Sequence, residues 1–367
     1  MWLWSNAWCA SCASLDSNPP RRRKRARSWV LPRCADLGPA PPTPRRQRMQ
    51  RRTFLTSTAI AASAIAGAPA FAQPRPMTIF VPYPPGGTTD MTARAIGESI
   101  TERTGLPVVV DNRPGGGGQI AYGAMRQVAA DVPVVLVGDY GTFGSNAFLY
   151  KKFNHDPLTD LQALTTTVAF PMVLYVPKSH PANSVKELVT LSRAKPQTYA
   201  SQGNGSGGHL VGEMFRGATG ADLSHVPYRG SAPAAQDAMA AQVDMLFDGV
   251  AAGAQHVKAG RLKALMVAGP DRAALLPGVP ASVELGLPDV QMTAWFAAAT
   301  RAEAPPALVQ KLHEHVARAF QTPKIATRFQ ELGYDTMIMS PAQFAAFMKK
   351  ESARWAKVIK TYQISVD

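Results

Sequence analysis

Cysteine is almost missing from this 367-residue chain: the three copies, Cys9, Cys12 and Cys34, all fall close to the amino terminus. Beyond Cys34 there is no disulfide framework, no thiol nucleophile and no thiolate metal ligand. Histidine is scarce too, at 7 residues. His313-Glu314-His315 lacks the spacing of a zinc helix, because side chains two apart diverge by about 200° on a helix. No metal and no cofactor is expected. Only the stretch from Phe54 to Ala68 approaches a long apolar run, and it is too short and alanine-rich for a membrane span.

Acids are also missing from the start of the chain. Residues 1–72 hold 12 of the 39 lysines and arginines but only Asp16 and Asp36 of the 25 acids, so the remainder carries just +4 of the overall +14. The nucleic-acid or membrane-surface reading that a strongly basic protein invites therefore applies to the wrong segment, and no nucleic-acid partner is expected. Residues 1–48, with the heptad RRRKRAR and no apolar periodicity, read as disordered or as translated from a start placed too far upstream of Met49. From Met49 the order is basic Arg51-Arg52, an apolar run and Ala70-Phe71-Ala72, the layout of a cleavable export signal over 49–72. Twin-arginine and general export both fit. The mature, periplasmic chain then begins near Gln73 and contains no cysteine.

What is present is an alternation. Thr78 to Val81 reads as a buried strand, Pro82 to Gly87 as a turn, and Asp90 to Arg103 as a helix with Ala93, Ile96 and Ile100 on one face. Thr88 and Thr89 are N-cap candidates, and Asp90 suits the positive end of the helix. Strand 107–110, turn 111–118, helix 119–130 and strand 132–137 follow, implying right-handed crossovers and a parallel doubly wound sheet. A second run begins with strand 173–176 and the capping pair Ser184 and Glu187. Three helical segments close the chain, the last from Ser340-Pro341 with Phe344, Phe347, Met348, Trp355 and Val358 at helical spacing. The expected fold is α/β, two doubly wound lobes with a ligand cleft between them: 73–172 and 292–367 in the first lobe, 173–291 in the second.

The device of strand, glycine turn and helix recurs. Its second copy is YASQGNGSGGHLVGEMF at 199–215, with Ser206 as cap; a third is VPYRGSAPAAQD at 226–237, with Ser231 as cap; a fourth candidate loop is GDYGTFGSN at 138–146. At the carboxyl ends of parallel strands such loops converge, and exposed amides at a helix start suit a small anion. Gly203 to Gly208 is formally G-x-G-x-x-G, but Asp222 lies before the next strand rather than after it, which argues against a dinucleotide. Ser206 fails the G-x-S-x-G spacing of a hydrolase, and no base is identifiable. Asp248-Gly249 ends a strand and offers Asp248 as a cleft-lining residue; Tyr228-Arg229-Gly230 lies in a cleft loop, with Tyr228 expected as a ligand contact.

Taken together, VPYPPGGTTD (81–90), GLPVVVDNRPGGGG (105–118), YASQGNGSGGHL (199–210), HVPYRGSAPA (225–234), VDMLFD (243–248) and HVKAGRLKAL (256–265) resemble the Bug family of tripartite tricarboxylate transporter receptors. The resemblance implies a type II periplasmic-binding-protein fold closing over a small organic acid, with no catalysis. It points to Gly86, Gly87, Thr88, Thr89 and Asp90 in the first loop, after the unusually proline-rich Tyr83-Pro84-Pro85, and to Gly205, Ser206 and Gly207 in the second, braced by His209. Pro85 is included with them as a ligand contact. Asp139 and Tyr140 stand where relatives differ; an acid there repels a second ligand carboxylate or holds a ligand amine. The expected ligand is a di- or tricarboxylate, an amino acid or an aromatic acid, and the expected partners are membrane permease subunits. The rival from another class is an exported serine hydrolase using Ser206, and a weaker one is a dinucleotide-binding oxidoreductase.

Overall fold

The computed structural model describes residues 75–366. The upstream segment with its three cysteines and the export signal expected over 49–72 lie outside the described residues.

The chain opens with strand β1 (Met77–Val81), which pairs in parallel with β2 (Val108–Asn112) and β3 (Val134–Asp139). Helices α1 (Thr88–Thr104) and α2 (Gln119–Arg126) connect them. Ala93, Ile96 and Ile100 are fully buried, as the spacing predicts, and Gly105, at φ 70°, ends α1 in the left-handed conformation only glycine adopts without strain. Residues Gly141–Ser145, expected as loop, are instead a buried π-helical turn running into the short α3 (Asn146–Leu149). Gly138 makes this packing feasible: a Cβ there would lie 2.7 Å from Thr142 Cβ.

The sequence expectation of a strand at 173–176 captures only the end of β4 (Leu161–Pro177), which is 17 residues long. The register of β4 is irregular between Ala163 and Thr165 and between Thr166 and Ala169, and Pro171, opposite Thr293, is the last residue paired with β9 before the strand changes neighbours. Leu161 to Pro171 pairs antiparallel with β9 (Thr293–Arg301). Met172 onward pairs antiparallel with β7 (Met245–Gly249) and β8 (Leu262–Ala268). A second parallel triad is made by β5 (Gln197–Ser201), β6 (Leu223–Pro227) and β7, connected by α4 (Val185–Ala194), α5 (Gly207–Thr219), α6 (Ser231–Met239) and α7 (Val250–Lys258). The strand order β2-β1-β3-β9-β4-β7-β5-β6 places the antiparallel β9 and β4 between the two triads. The lobes are doubly wound, as expected, but the sheet is mixed.

Helices α8 (Pro306–Gln321) and α9 (Pro323–Glu331), the two-residue β10 (Asp335–Thr336) and α10 (Pro341–Tyr362) complete the fold. Ser340 and Gln343 form a reciprocal capping box ahead of Pro341. Phe344, Met348, Trp355 and Ile359 of α10 are buried. Phe344 and Phe347 meet Trp295 of β9 edge-on at 6.0 and 5.2 Å between centroids. Each large apolar side chain so buried contributes roughly 2–3 kcal/mol, so α10 is docked by its own face. Its end reaches α5, where Gly217 leaves room for the Tyr362 ring.

Candidate functional site

Helices α1, α5, α6 and α7 all start at the carboxyl ends of their strands, and residues from the first turn of each line one cavity of about 740 Å³: Thr88 and Thr89, Gly207, Ser231, and Ala251 with Ala252. The first amides of a helix have no partner within it, so the positive ends of four helix dipoles meet at this cavity, and at α1 no side chain caps those amides.

At α1 the N-cap is Gly87, in extended conformation and with no side-chain cap. The expectation that Thr88 or Thr89 caps the helix is corrected: Thr88 is its first residue and its Oγ1 lies 3.2 Å from the Tyr334 hydroxyl, while Thr89 is buried. The amides of this turn are therefore left open. Asp90, also expected at the ligand, turns away from the cavity. Its carboxylate accepts from the Gly86 amide at 2.9 Å, Arg94 Nε at 2.8 Å and Asn112 Nδ2 at 3.0 Å. Burial pushes its pKa up, but the Arg94 guanidinium and these amide donors outweigh it and hold the group below its ordinary value. Asp90 ties the loop down from beneath, and Gly86, bound to it, is outside the cavity lining.

At α5 the cap is Ser206, as expected, whose Oγ accepts from the His209 amide at 3.4 Å. His209 does not reach the cavity; its Nδ1 accepts from the Gly205 amide at 3.1 Å, holding the loop from behind. The ring stacks on His225 with centroids 4.2 Å apart. Burial lowers the pKa of His209, and burial together with the His209 ring pushes His225 down to about 4, so both are neutral braces. Gly208 sits so close to the next strand that a Cβ would collide with the Phe247 carbonyl. The third glycine of the G-x-G-x-x-G pattern thus serves packing against β7, and β6 ends at Pro227 with no ribose-binding acid following it. Among the described residues no imidazole or carboxylate bonds Ser206 Oγ. Ser201 Oγ does lie 2.7 Å from His225 Nε2, but Ser201 is fully buried and is not part of the cavity wall.

At α6 the cap is Gly230, at φ 112°, and Ser231, expected as the cap, is the first helical residue; its hydroxyl donates to Asp248 Oδ1 at 3.2 Å. Tyr228 is corrected as a ligand contact. Its hydroxyl donates to Asp237 at 2.7 Å, and burial with that carboxylate pushes its pKa up to about 12. The neighbouring Arg229 lines the cavity instead, exposed at the rim and paired with no carboxylate among the described residues.

Asp139, Tyr140 and Asp248 all stand in the wall. Asp139 Oδ1 accepts from the Tyr83 hydroxyl at 2.8 Å and from the amide and hydroxyl of Thr142 at 3.0 and 3.1 Å. Tyr140, buried against Trp355, brings its hydroxyl over Gly207, where a Cβ would lie 3.0 Å from it. Asp248 Oδ1 accepts from Gln202 Nε2, Ser231 and the Gly249 amide, and burial raises its pKa to about 6. Phe170, Phe296 and Tyr334 add an aromatic wall, Phe170 standing 4.5 Å from Tyr334 and 5.8 Å from Phe296 between centroids.

The model of the tripartite tricarboxylate transporter family receptor matches residues 92–364. The chain belongs to this receptor family. It is 32% identical over 296 residues to a Pseudomonas sp. (strain P51) protein from the tcbD-tcbE intergenic region, covering 80% of this chain and 88% of that one. It is 32% identical over 289 residues to Protein BugT of Bordetella pertussis, covering 78% and 89%. Among solved structures, R. palustris Rpa4515 with adipate superposes with a TM-score of 0.73 at 32% identity, over 79% of this chain and 98% of that one. The MatC protein of Rhodopseudomonas palustris with bound malate superposes at 0.69 and 28% identity, over 77% and 98%.

In this receptor the cavity brings together Pro85, Gly87, Thr88, Thr89, Asp139, Tyr140, Gly205, Ser206, Gly207 and Asp248 of the residues expected from sequence. Four others, Gly86, Asp90, His209 and Tyr228, lie behind the wall. The sequence reading missed the first turn of α7, the Gly115–Gly117 turn and the aromatic wall as site elements. A signal for α7 exists in Asp248-Gly249 followed by an apolar helix; Gly249 has to be glycine because Phe170 packs on its Cα.

Proposed function

We propose that the protein is an extracytoplasmic receptor that captures a small organic carboxylate in this cavity and presents it to a membrane permease or a sensor, without catalysis. The observation that carries the reading is the convergence of four helix amino termini on one open cleft, because oriented amides bind a carboxylate without a permanent cation. Relatives with adipate and malate bound support the substrate class. The lobes are 73–172 with 292–367, and 173–291, the change falling where β4 exchanges β9 for β7 and β8. Ligand that binds the closed lobes better than the open ones shifts the population to closed, which is the form a permease reads. An export signal over 49–72 accounts for a periplasmic location, and no helix among the described residues is long and apolar enough to cross a membrane.

A thermal-shift screen over mono-, di- and tricarboxylates, amino acids and aromatic acids tests this. Ligand at about 100 times its Kd stabilises the folded state by about 2.7 kcal/mol through mass action. Turnover of any stabilising acid, or no stabilisation across the screen, refutes the reading.

A further inference from the structure

The carboxylate-receptor reading leaves the class of acid open, and the wall charges narrow it. Two carboxyl groups, Asp139 and Asp248, share the wall with a single exposed guanidinium, Arg229. The two acids are not equivalent. Asp139 Oδ1 is saturated by Tyr83 and Thr142, so this residue fixes the first loop and contributes charge. Asp248 likewise accepts on Oδ1, from Gln202, Ser231 and the Gly249 amide; what sets it apart is its Oδ2, which is shielded from solvent with no partner in the protein.

The hydroxyls near Asp248 do not serve that oxygen. Tyr175 donates towards the Gly249 and Val250 carbonyls at 3.4 and 3.2 Å, and Tyr334 is engaged with Thr88. A buried carboxylate oxygen without a donor is costly, and a donor supplied by a guest removes that cost. A second guest carboxylate meets two carboxyl groups in a poorly solvated space, both already pushed towards the neutral form by burial, and is either repelled or has to drive their protonation. Gln202 accepts from the Gly208 amide at the start of α5 and donates to Asp248, so that amide is already taken. The amides left open for an anion are those at the uncapped start of α1, where Thr88 and Thr89 line the same cavity as Asp248.

Resting on the receptor reading, we infer that the ligand carries one carboxylate and a hydrogen-bond donor, an ammonium or hydroxyl group, which Asp248 receives, while Asp139 adds the charge that turns away diacids. Calorimetric titration of matched acids decides it: succinate beside γ-hydroxybutyrate and γ-aminobutyrate, and adipate beside ε-aminocaproate. In the wild-type protein at least one donor-bearing acid binds about ten-fold or more tightly than its diacid counterpart, a difference of about 1.4 kcal/mol. Asp248→Asn abolishes that preference, and Asp139→Asn narrows it by raising diacid affinity. Diacids binding as well as or better than their counterparts in both sets overturns the inference and leaves the receptor standing, as does a preference unchanged in a folded Asp248→Asn protein. The wild-type ranking holds as a test even if that variant does not fold. Binding of no member of the panel overturns the receptor reading and the inference together.

Discussion

The two glycine loops that open α1 and α5 are built from the same sequence device, and the structure holds them by opposite means. The first is secured from below by charge: Asp90 grips Gly86, Arg94 and Asn112, and the helix start is left without a cap. The second is secured by neutral groups and by packing: Ser206 caps its own helix, the His209 ring holds Gly205, and Gly208 is pressed against the Phe247 carbonyl. One loop presents uncapped amides on a charged clamp, the other presents fewer amides on neutral braces. A Gly-rich turn thus specifies the approach of a backbone to a guest, but not how the turn is kept in place.

Glycine-to-alanine exchange separates the two most sharply. Gly208→Ala forces a Cβ into the Phe247 carbonyl and destabilises the protein by about 3 kcal/mol. Gly87→Ala, at φ −80° and with open space around it, changes stability by less than about 0.5 kcal/mol. Denaturant unfolding of both variants checks this, and equal losses would break the distinction. Asp90→Ala strands the donors of Gly86, Arg94 and Asn112 and costs about 2 kcal/mol, with affinity for the guest falling as the first loop loosens. Ser206→Ala removes a cap worth about 1 kcal/mol and weakens carboxylate binding about ten-fold at most. An effect of orders of magnitude on a hydrolytic activity would instead revive Ser206 as a nucleophile.

Acid discriminates the loops more gently. The folded pKa of His225, about 4, lies below the ordinary 6.5, so the neutral pair His209 and His225 stabilises the second loop above pH 6.5 and that contribution is lost as pH falls towards 4. Asp90, also depressed, keeps its contribution until the pH falls below its ordinary 3.8. Asp248 works the other way, its raised pKa making its contribution complete below the ordinary carboxylate value and lost as pH rises through about 6. Hydrogen-exchange protection at pH 5 should therefore drop at residues 203–209 before it drops at 86–90, and His225→Gln should flatten the fall. Simultaneous loss in both loops would refute the contrast.

The parts of this site that the sequence discloses are those written in local pattern. The strand, turn and helix of 78–103 declare themselves through periodicity and glycine, and Ser206 and Ser340 through their caps. What stays hidden depends on partners distant along the chain. Nothing near Thr88 announces that Tyr334 occupies its hydroxyl, nor does the acid at Asp90 reveal that Asn112 and Gly86 draw it away from the guest. Gly141–Ser145 looked like loop because its glycines are real turn formers, and only burial beside α10 winds them into a helix. Most of β4 stayed hidden as well, since the pairing with β9 that carries it as far as Pro171 is made with a strand more than a hundred residues away.

That long strand carries a mechanical implication. With β4 hydrogen-bonded to one set of neighbours before Pro171 and to another after it, no slack tether lies at this junction between the halves. On the proposed two-lobe reading, closure over a guest twists a continuous ribbon near Pro171. Phe170 and Met172, on either side of Pro171, themselves stand in the chamber's wall, so a guest there touches the strand at the place where it changes neighbours.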